Sequence, residues 1–167
     1  MALDSDALML KAEIEAAFTD VPYPGDDNLV ETKIPEDLAA AEFFKGIKWQ
    51  DWKEKPGQLF RTLPTGYLFF LSPAAFHYYL PLYMILVLTD YDASDLLAGE
   101  TVSSVALGGI DPKLRACTER RMSVMTPAQL KVILKYLEFF KQEHGMDFEP
   151  WPIDPAIESL RKAICNA

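Results

Sequence analysis

Residues 71–88 read Leu-Ser-Pro-Ala-Ala-Phe-His-Tyr-Tyr-Leu-Pro-Leu-Tyr-Met-Ile-Leu-Val-Leu and form the centre of a run, Thr62 to Thr89, that contains no charged side chain. Ser72 can accept a hydrogen bond from an early backbone N–H, and Pro73 suits the first helical position because its missing donor would be unpaired there. This pair predicts a helix from Pro73 to about Thr89. Since apolar residues cover every face, we expect a central, buried helix.

Pro81 lies inside this predicted helix. A proline there removes the hydrogen bond to the carbonyl of His77 and costs roughly 3 kcal/mol, so we expect a kink or a junction of two helices. The run is also long enough to cross a bilayer, which takes about 20 apolar residues. The prolines, the histidine and the tyrosines within it favour a packed protein core instead, and acids such as Asp90 follow it rather than Lys or Arg. We therefore expect no membrane association.

Length and composition indicate one globular domain. The chain has 167 residues, half of them hydrophobic, and a chain of that length buries about 70% of its unfolded surface on folding. We predict a single domain over residues 1–167. Cys117 and Cys165 form no Cys-x-x-Cys pattern, so we expect both to be reduced and buried, with a disulfide as the alternative. The N-terminal residues resemble no secretory signal, and the expected location is therefore the cytoplasm.

Capping residues divide the rest of the chain into further helices. Thr126 and Gln129 fit the capping-box spacing, and Pro127 takes the first helical position. The other predicted helices run from Asp4 or Ser5 to about Phe18, from Pro35 to about Lys45, onward from Asp111 and onward from Asp154. The predicted fold class is all-α: a single compact helical domain around a central, buried, proline-kinked helix, with little or no sheet.

The helix predicted from Pro35 has one apolar side. Leu38, Ala41 and Phe43 or Phe44 recur at helical spacing, so we expect them to face the core.

Two later segments are ambiguous. Residues 67–71 are interpreted as a short strand or as the lead-in to the central helix. Ser94 is expected to cap a short helix that ends at Gly99, and residues 101–107 are interpreted as a loop or a minor strand.

Negative charge is concentrated near the N-terminus. The formal net charge is −9, and residues 1–42 alone hold eleven acids against two lysines, whereas acids and bases balance in the rest of the chain. Such a surface attracts a basic partner, although solubility is the simpler explanation. The candidate partner-binding residues are Glu13, Glu15, Asp26, Asp27, Glu36 and Asp37.

The densest basic cluster comprises Lys113, Arg115, Arg120 and Arg121. It is interpreted either as an anion site or, preferably, as a set of surface ion pairs with this protein's own acids, each worth about 0.2–1 kcal/mol. The chain is acidic overall, with a pI near 4.7, and carries no nucleic-acid-binding motif. We therefore predict no nucleic-acid partner.

The chain offers little catalytic chemistry. Its two histidines, His77 and His144, lie far apart in the sequence, and we predict no metal site and no cofactor. His77 is the one weak catalytic candidate, because an apolar environment would lower its pKa and keep it neutral near pH 7. A core histidine bonded to a carbonyl or a tyrosine hydroxyl is the favoured interpretation. A ligand pocket, if one exists, is predicted at the kink and lined by Trp49, His77, Tyr78 and Tyr79.

The central segment also carries a resemblance to a family. Phe70-Leu-Ser-Pro-Ala-Ala-Phe-His-Tyr-Tyr-Leu-Pro81, followed by Met125-Thr-Pro-Ala-Gln129, resembles a family of small uncharacterised bacterial proteins. In that family a Phe-Leu-x-Pro-x-Ala-Phe-x-Tyr-Tyr-Leu-Pro segment precedes a helix that begins with Thr-x-x-Gln. The resemblance covers roughly residues 49–140. It implies the helical fold and a soluble, bacterial context, and it brings no established activity.

Three functional hypotheses follow. The first is a non-enzymatic protein-binding module that uses its acidic N-terminal region, by analogy with small acidic immunity proteins that inhibit a toxin. The alternative is a small enzyme or ligand-binding protein with a pocket near His77. The third is an oligomeric structural protein.

Overall fold

A computed structural model of the chain describes residues 4–61, 66–94, 96–107, 111–145 and 153–166. Within these ranges lie ten α-helices and two short 3-10 turns, Asp26–Asn28 and Trp49–Asp51. The helices are α1 (Ser5–Phe18), α2 (Pro35–Phe44), α3 (Pro56–Phe60), α4 (Tyr67–Phe70), α5 (Pro73–Thr89), α6 (Tyr91–Ser94), α7 (Leu96–Val105), α8 (Pro112–Met122), α9 (Pro127–His144) and α10 (Ile153–Cys165). The all-α prediction is confirmed for the described residues, whose one β-bridge joins Val30 to Leu71.

The central helix α5 is the predicted one, with the predicted bounds. Ser72 caps it by accepting a hydrogen bond from the N–H of Ala75 at 3.1 Å. Every residue from Tyr78 to Leu88 is buried, and the helix continues through Pro81. Because burial of one large aliphatic side chain contributes roughly 1.5–3 kcal/mol, α5 supplies much of the hydrophobic stabilisation.

The other helices are arranged around α5. Helices α1, α3, α6, α7 and α8 contact it directly, while α9 packs on α1 and α10 packs on α9. The predicted capping box of α9 is present, since Thr126 accepts from the N–H of Gln129 and the Gln129 side chain accepts from the N–H of Thr126. Asp4 and Asp111 cap α1 and α8.

The two ambiguous segments are both helical. Residues 67–70 form α4, and the segment interpreted as ending at Gly99 continues to Val105 as α7. The expected stop at Gly99 is wrong because polar side chains further along α7 satisfy themselves within the helix. Thr101 donates to the carbonyl of Leu97 at 2.7 Å, so this buried hydroxyl has a hydrogen-bond partner within the helix.

Two buried charged side chains hold the short helix α4 at its ends. Glu100 of α7 accepts from the N–H of Gly66 at 2.9 Å and from the N–H of Leu68 at 2.8 Å. Arg121 of α8 donates to the carbonyls of Phe69 and Leu71 at the other end. A carboxylate at the helix N-terminus and a guanidinium at the C-terminus both complement the helix dipole.

Cys117 and Cys165 are free, and the expectation that they are buried is wrong. Cys165 is exposed at the end of α10, and Cys117 is only partly covered on α8. No helix within the described ranges combines the length and the apolar character that a membrane span requires.

Candidate functional site

The outer side of α2 exposes two large aliphatic side chains one helical turn apart. Ile34 and Leu38 are 49% and 50% exposed, although large aliphatic side chains usually lie inside. Together with Glu42 they follow one another at four-residue spacing and share one side of the helix, whereas Glu36, two residues from both, is exposed on the other side of the first turn. We call Ile34, Leu38 and Glu42 the α2 face.

The helix α2 is turned about its axis relative to the sequence prediction. Asp37 is only 6% exposed, on the same side as the buried Ala40 and Phe44, and the expectation that Leu38 faces the core is wrong. The reason is that the Asp37 side chain binds the loop before α2. The Asp37 carboxylate accepts from the backbone N–H of Thr32 at 3.2 Å and also from the Thr32 hydroxyl, which closes the loop before α2.

A second charged side chain, Arg121, lies near Asp37. Burial lowers the pKa of Arg121, and the nearby carboxylates of Glu31 and Asp37 oppose that shift. The Asp37 side chain is buried and is not presented at the surface, unlike Glu36 beside it.

The C-terminal end of α2 is fixed by the first acidic loop. Gly46 ends the helix region with a φ of 70°, and its N–H donates to the Asp26 carboxylate at 2.9 Å. The Tyr23 hydroxyl also donates to Asp26. Both hydrogen bonds lower the pKa of Asp26, and the bond from Tyr23 has the larger effect. Asp27 is exposed next to it, so this acid borders the end of α2.

The acids predicted on α1 are neutralised by this protein's own lysines. Glu13 pairs with Lys135 at 2.5 Å, and Glu15 pairs with Lys11 at 2.8 Å and with Lys53 at 2.5 Å. Burial alone would raise the pKa of Glu15, but the two lysines outweigh it and lower the pKa. Glu13 and Glu15 are therefore engaged in ion pairs within the protein.

The basic cluster of α8 is also used within the protein. Arg120 pairs with Glu31, as the preferred surface interpretation predicted. Arg121 instead lies buried against α4 and contacts the ring face of Phe76 at 5.4 Å.

A few N-terminal acids remain exposed and make no side-chain hydrogen bond or ion pair within the described residues. They are Asp6, Asp20, Asp27, Glu36 and Glu42. Three of these five belong to α2 or border its end, so the unengaged acids are concentrated there.

Two of the predicted pocket residues lie on one side of α5, around the 3-10 turn Trp49–Asp51. The Tyr78 hydroxyl donates to Gln50 at 2.8 Å, and the Tyr79 hydroxyl donates to the carbonyl of Ile47 at 2.7 Å. Burial raises the pKa of both tyrosines. Trp49 is 1% exposed. The cavities of the described residues that we identify are not lined by these three aromatic residues.

His77 is placed elsewhere, beside a groove near the start of α5. Its Nε2 lies 2.8 Å from Oε1 of Gln129, and Phe18 meets its ring edge-on with centroids 6.0 Å apart. The groove has a volume of about 570 Å³. Its apolar walls are formed by Pro24, Val30, Pro73, Ala74 and Val124. We call it the His77 groove. The structure thus separates His77 from its predicted pocket companions.

Sequence reasoning missed Ile34 and Leu38 at the surface and Gln129 as the partner of His77. The sequence did indicate where the Gln129 side chain lies, because a capping-box glutamine reaches back to the N–H of the residue that caps its helix. No sequence signal distinguishes Leu38 from a core residue. Within the described residues no cluster of three or more His, Cys, Asp or Glu is arranged to hold a metal ion.

Comparison with known proteins gives one match. Residues 6–149 match the model of a family of unknown function (DUF6714), which agrees with the resemblance carried by the central segment. No curated protein and no solved structure matches the chain.

Proposed function

We propose that this chain, which belongs to the family of unknown function (DUF6714), is a non-enzymatic protein-binding module that engages a basic partner through the α2 face. The observation that carries the proposal is the orientation of α2 about its axis, in which Asp37 is buried and the neighbouring Leu38 is exposed. Leu38 and Ile34 thereby form an exposed apolar patch beside acidic residues, and an exposed apolar patch rimmed by polar residues is a feature of protein interaction sites.

The chemistry of the α2 face defines the partner. Ile34 and Leu38 supply an apolar centre. Each is about half exposed, so burying the rest of both would contribute about 1.5–3 kcal/mol in total, half of the value for two fully exposed side chains. Glu42 and Asp27 supply negative charge beside that centre, and Glu36 adds to the negative charge of the helix. The complementary surface is an apolar pocket with Lys or Arg at its edge.

The surrounding charges give the interaction its kinetic character. Opposite charges at the rim of an interface raise the association rate and make it sensitive to salt, while the apolar centre sets the lifetime of the complex. An immunity-like inhibitor of a basic protein in the bacterial cytoplasm fits both properties. The proposal assigns this role to the protein, with the α2 face as the inhibitory surface.

The test is capture of partners by the tagged protein from lysate, with matched variants. We expect basic proteins to be retained at low salt by the wild type and to be lost with Ile34→Ser plus Leu38→Ser. Leu114→Ser is the control, because Leu114 on α8 is 65% exposed and lies outside the α2 face. Retention of the same proteins by both variants, or of none by the wild type, would reject the proposal.

A charge-matched pair of variants separates the α2 face from net charge. Glu36→Gln plus Glu42→Gln and Asp6→Asn plus Asp20→Asn each remove two acids. We expect the first pair alone to slow association with the captured partner and to weaken its salt dependence, as followed by surface plasmon resonance. Equal slowing by both pairs would mean that total charge, and not α2, attracts the partner.

A further inference from the structure

The His77 groove shares no residue with the α2 face, and its chemistry is decided by the side chain of Gln129. The Gln129 amide has a defined orientation, because both of its ends bind backbone groups whose roles are fixed. Its Oε1 accepts from the N–H of Thr126 at 2.9 Å, and its Nε2 donates to the carbonyl of Ala17 at 3.0 Å. The atom that faces His77 is therefore an acceptor.

This orientation sets the tautomer of His77. An acceptor opposite Nε2 requires that Nε2 carry the proton, so in the neutral imidazole the Nδ1 atom keeps its lone pair. Burial lowers the pKa of His77, and the bond to Gln129 only partly opposes that shift, which favours the neutral ring near pH 7.

The lone pair of Nδ1 is not used within the described part of the chain. His77 makes its hydrogen bond through Nε2, and Nδ1, which has no partner among the described residues, is not fully buried. Since His77 lines the groove, the groove gives a ligand access to this side chain. A fixed, neutral acceptor beside apolar walls is a typical feature of a small-molecule site.

The other polar groups of the groove are largely engaged. The Ser72 hydroxyl donates to the carbonyl of Asn28 at 2.6 Å and accepts from the N–H of Ala75. The Asn28 amide donates to the carbonyl of Pro24 at 2.9 Å, and Glu31 pairs with Arg120. The groove therefore offers an open histidine acceptor and apolar contact area, with its carboxylate already neutralised.

We infer that the His77 groove is a binding site for a small, uncharged organic molecule that presents an N–H or O–H donor on an apolar body. The donor binds Nδ1 of His77, and the body packs against Pro24, Val30, Pro73 and Val124. The site goes beyond the proposed protein-binding function and does not depend on it.

The test uses nuclear magnetic resonance of the ¹⁵N-histidine-labelled full chain. The probes are indole, phenol and benzimidazole, each compared with its N-methyl or O-methyl counterpart, which keeps the apolar body and loses the donor. We expect the free protein to show His77 as the Nε2–H tautomer at pH 7. We expect the donor-bearing probes to shift the Nδ1 resonance and to bind about three- to tenfold more tightly than the methylated ones, the range of one hydrogen bond.

His77→Gln is the matched variant. The Gln amide nitrogen can take the place of Nε2 and donate to Gln129, so the internal bond is retained while the Nδ1 acceptor is lost. We expect this variant to bind the donor-bearing probes no better than their methylated counterparts, with its thermal midpoint close to that of the wild type. If the variant is unfolded, the tautomer and probe measurements on the wild type decide alone.

Three results would overturn the inference. They are a proton on Nδ1 in the free protein, absence of any probe-induced shift at His77, and equal affinity for probes with and without the donor. None of them affects the α2 face, whose variants are tested with a protein partner.

Discussion

Helices α5 and α2 both carry large apolar residues, but α5 buries them whereas α2 leaves Leu38 half exposed. In α5 every residue from Tyr78 to Leu88 is buried, whereas α2 buries Asp37 and exposes Leu38. The central helix has apolar side chains on all sides, so apolar side chains would be buried at any rotation about its axis. In α2 the rotation matters, and a hydrogen bond determines it.

The difference shows which force wins in each region. Leu38 is 50% exposed, so it forgoes about half of the roughly 1.5–3 kcal/mol that full burial of a Leu side chain contributes. The two hydrogen bonds from Thr32 to the Asp37 carboxylate contribute a similar or larger amount, at about 0.5–1.5 kcal/mol for each bond. Asp37 satisfies both groups of Thr32, and Leu38 is displaced to the surface as a consequence.

The largest expected effect lies in α5. Leu86→Ala removes a side chain that is 0% exposed, and we expect it to lower the free energy of unfolding by about 2–5 kcal/mol through lost burial and the remaining cavity. Leu38→Ala on α2 should change it by less than about 0.5 kcal/mol. Urea denaturation of both variants measures the contrast. Similar losses at the two positions would mean that Leu38 is not on the surface.

A smaller effect is expected from the buried acid of α2. Asp37→Ala leaves the N–H and hydroxyl of Thr32 without their acceptor, and we expect a loss of about 1–3 kcal/mol in the same experiment. Glu36→Ala removes the neighbouring exposed acid and should change stability by less than about 0.5 kcal/mol. If Glu36→Ala were the more harmful change, the assigned rotation of α2 would be wrong.

The smallest effect is a pH dependence at the end of α2. The pKa of Asp26 is lower in the folded protein than in the unfolded chain, so the bonds to Tyr23 and Gly46 stabilise the fold above about pH 4. That contribution is lost as the pH falls through the folded pKa. We expect Asp26→Asn to reduce the urea midpoint at pH 7 and to approach the wild type at low pH. Asp27→Asn, the adjacent control, should show no such convergence.

The parts of the fold that the sequence predicts are those where several local signals agree. The helix α5 combines a Ser-Pro start with an uninterrupted apolar run, and α9 combines a capping box with a proline at its first position. The end of α7 was not predictable in this way. Its Thr101 and Ser104 look polar in sequence, and only the helix geometry shows that their hydroxyls bind carbonyls of preceding turns.

The candidate site was less predictable than the fold, because it depends on contacts between distant residues. The acidity of the N-terminal region was visible, but Glu13 is neutralised by Lys135, which lies more than a hundred residues away. The role of His77 depends on Gln129, which has a local explanation as a capping residue. Neither the Glu13–Lys135 pair nor the His77–Gln129 pair can be predicted from composition or periodicity.

Glu100 of α7 and Arg121 of α8 bind the two ends of α4. We therefore expect these three helices to unfold locally as one unit. Helix α4 cannot detach without leaving a buried carboxylate and a buried guanidinium unpaired, and such a step costs several kcal/mol. Four residues that would not form a helix alone are thus kept folded by α7 and α8. The amide protons of α4 should therefore exchange with solvent only when α7 or α8 also opens.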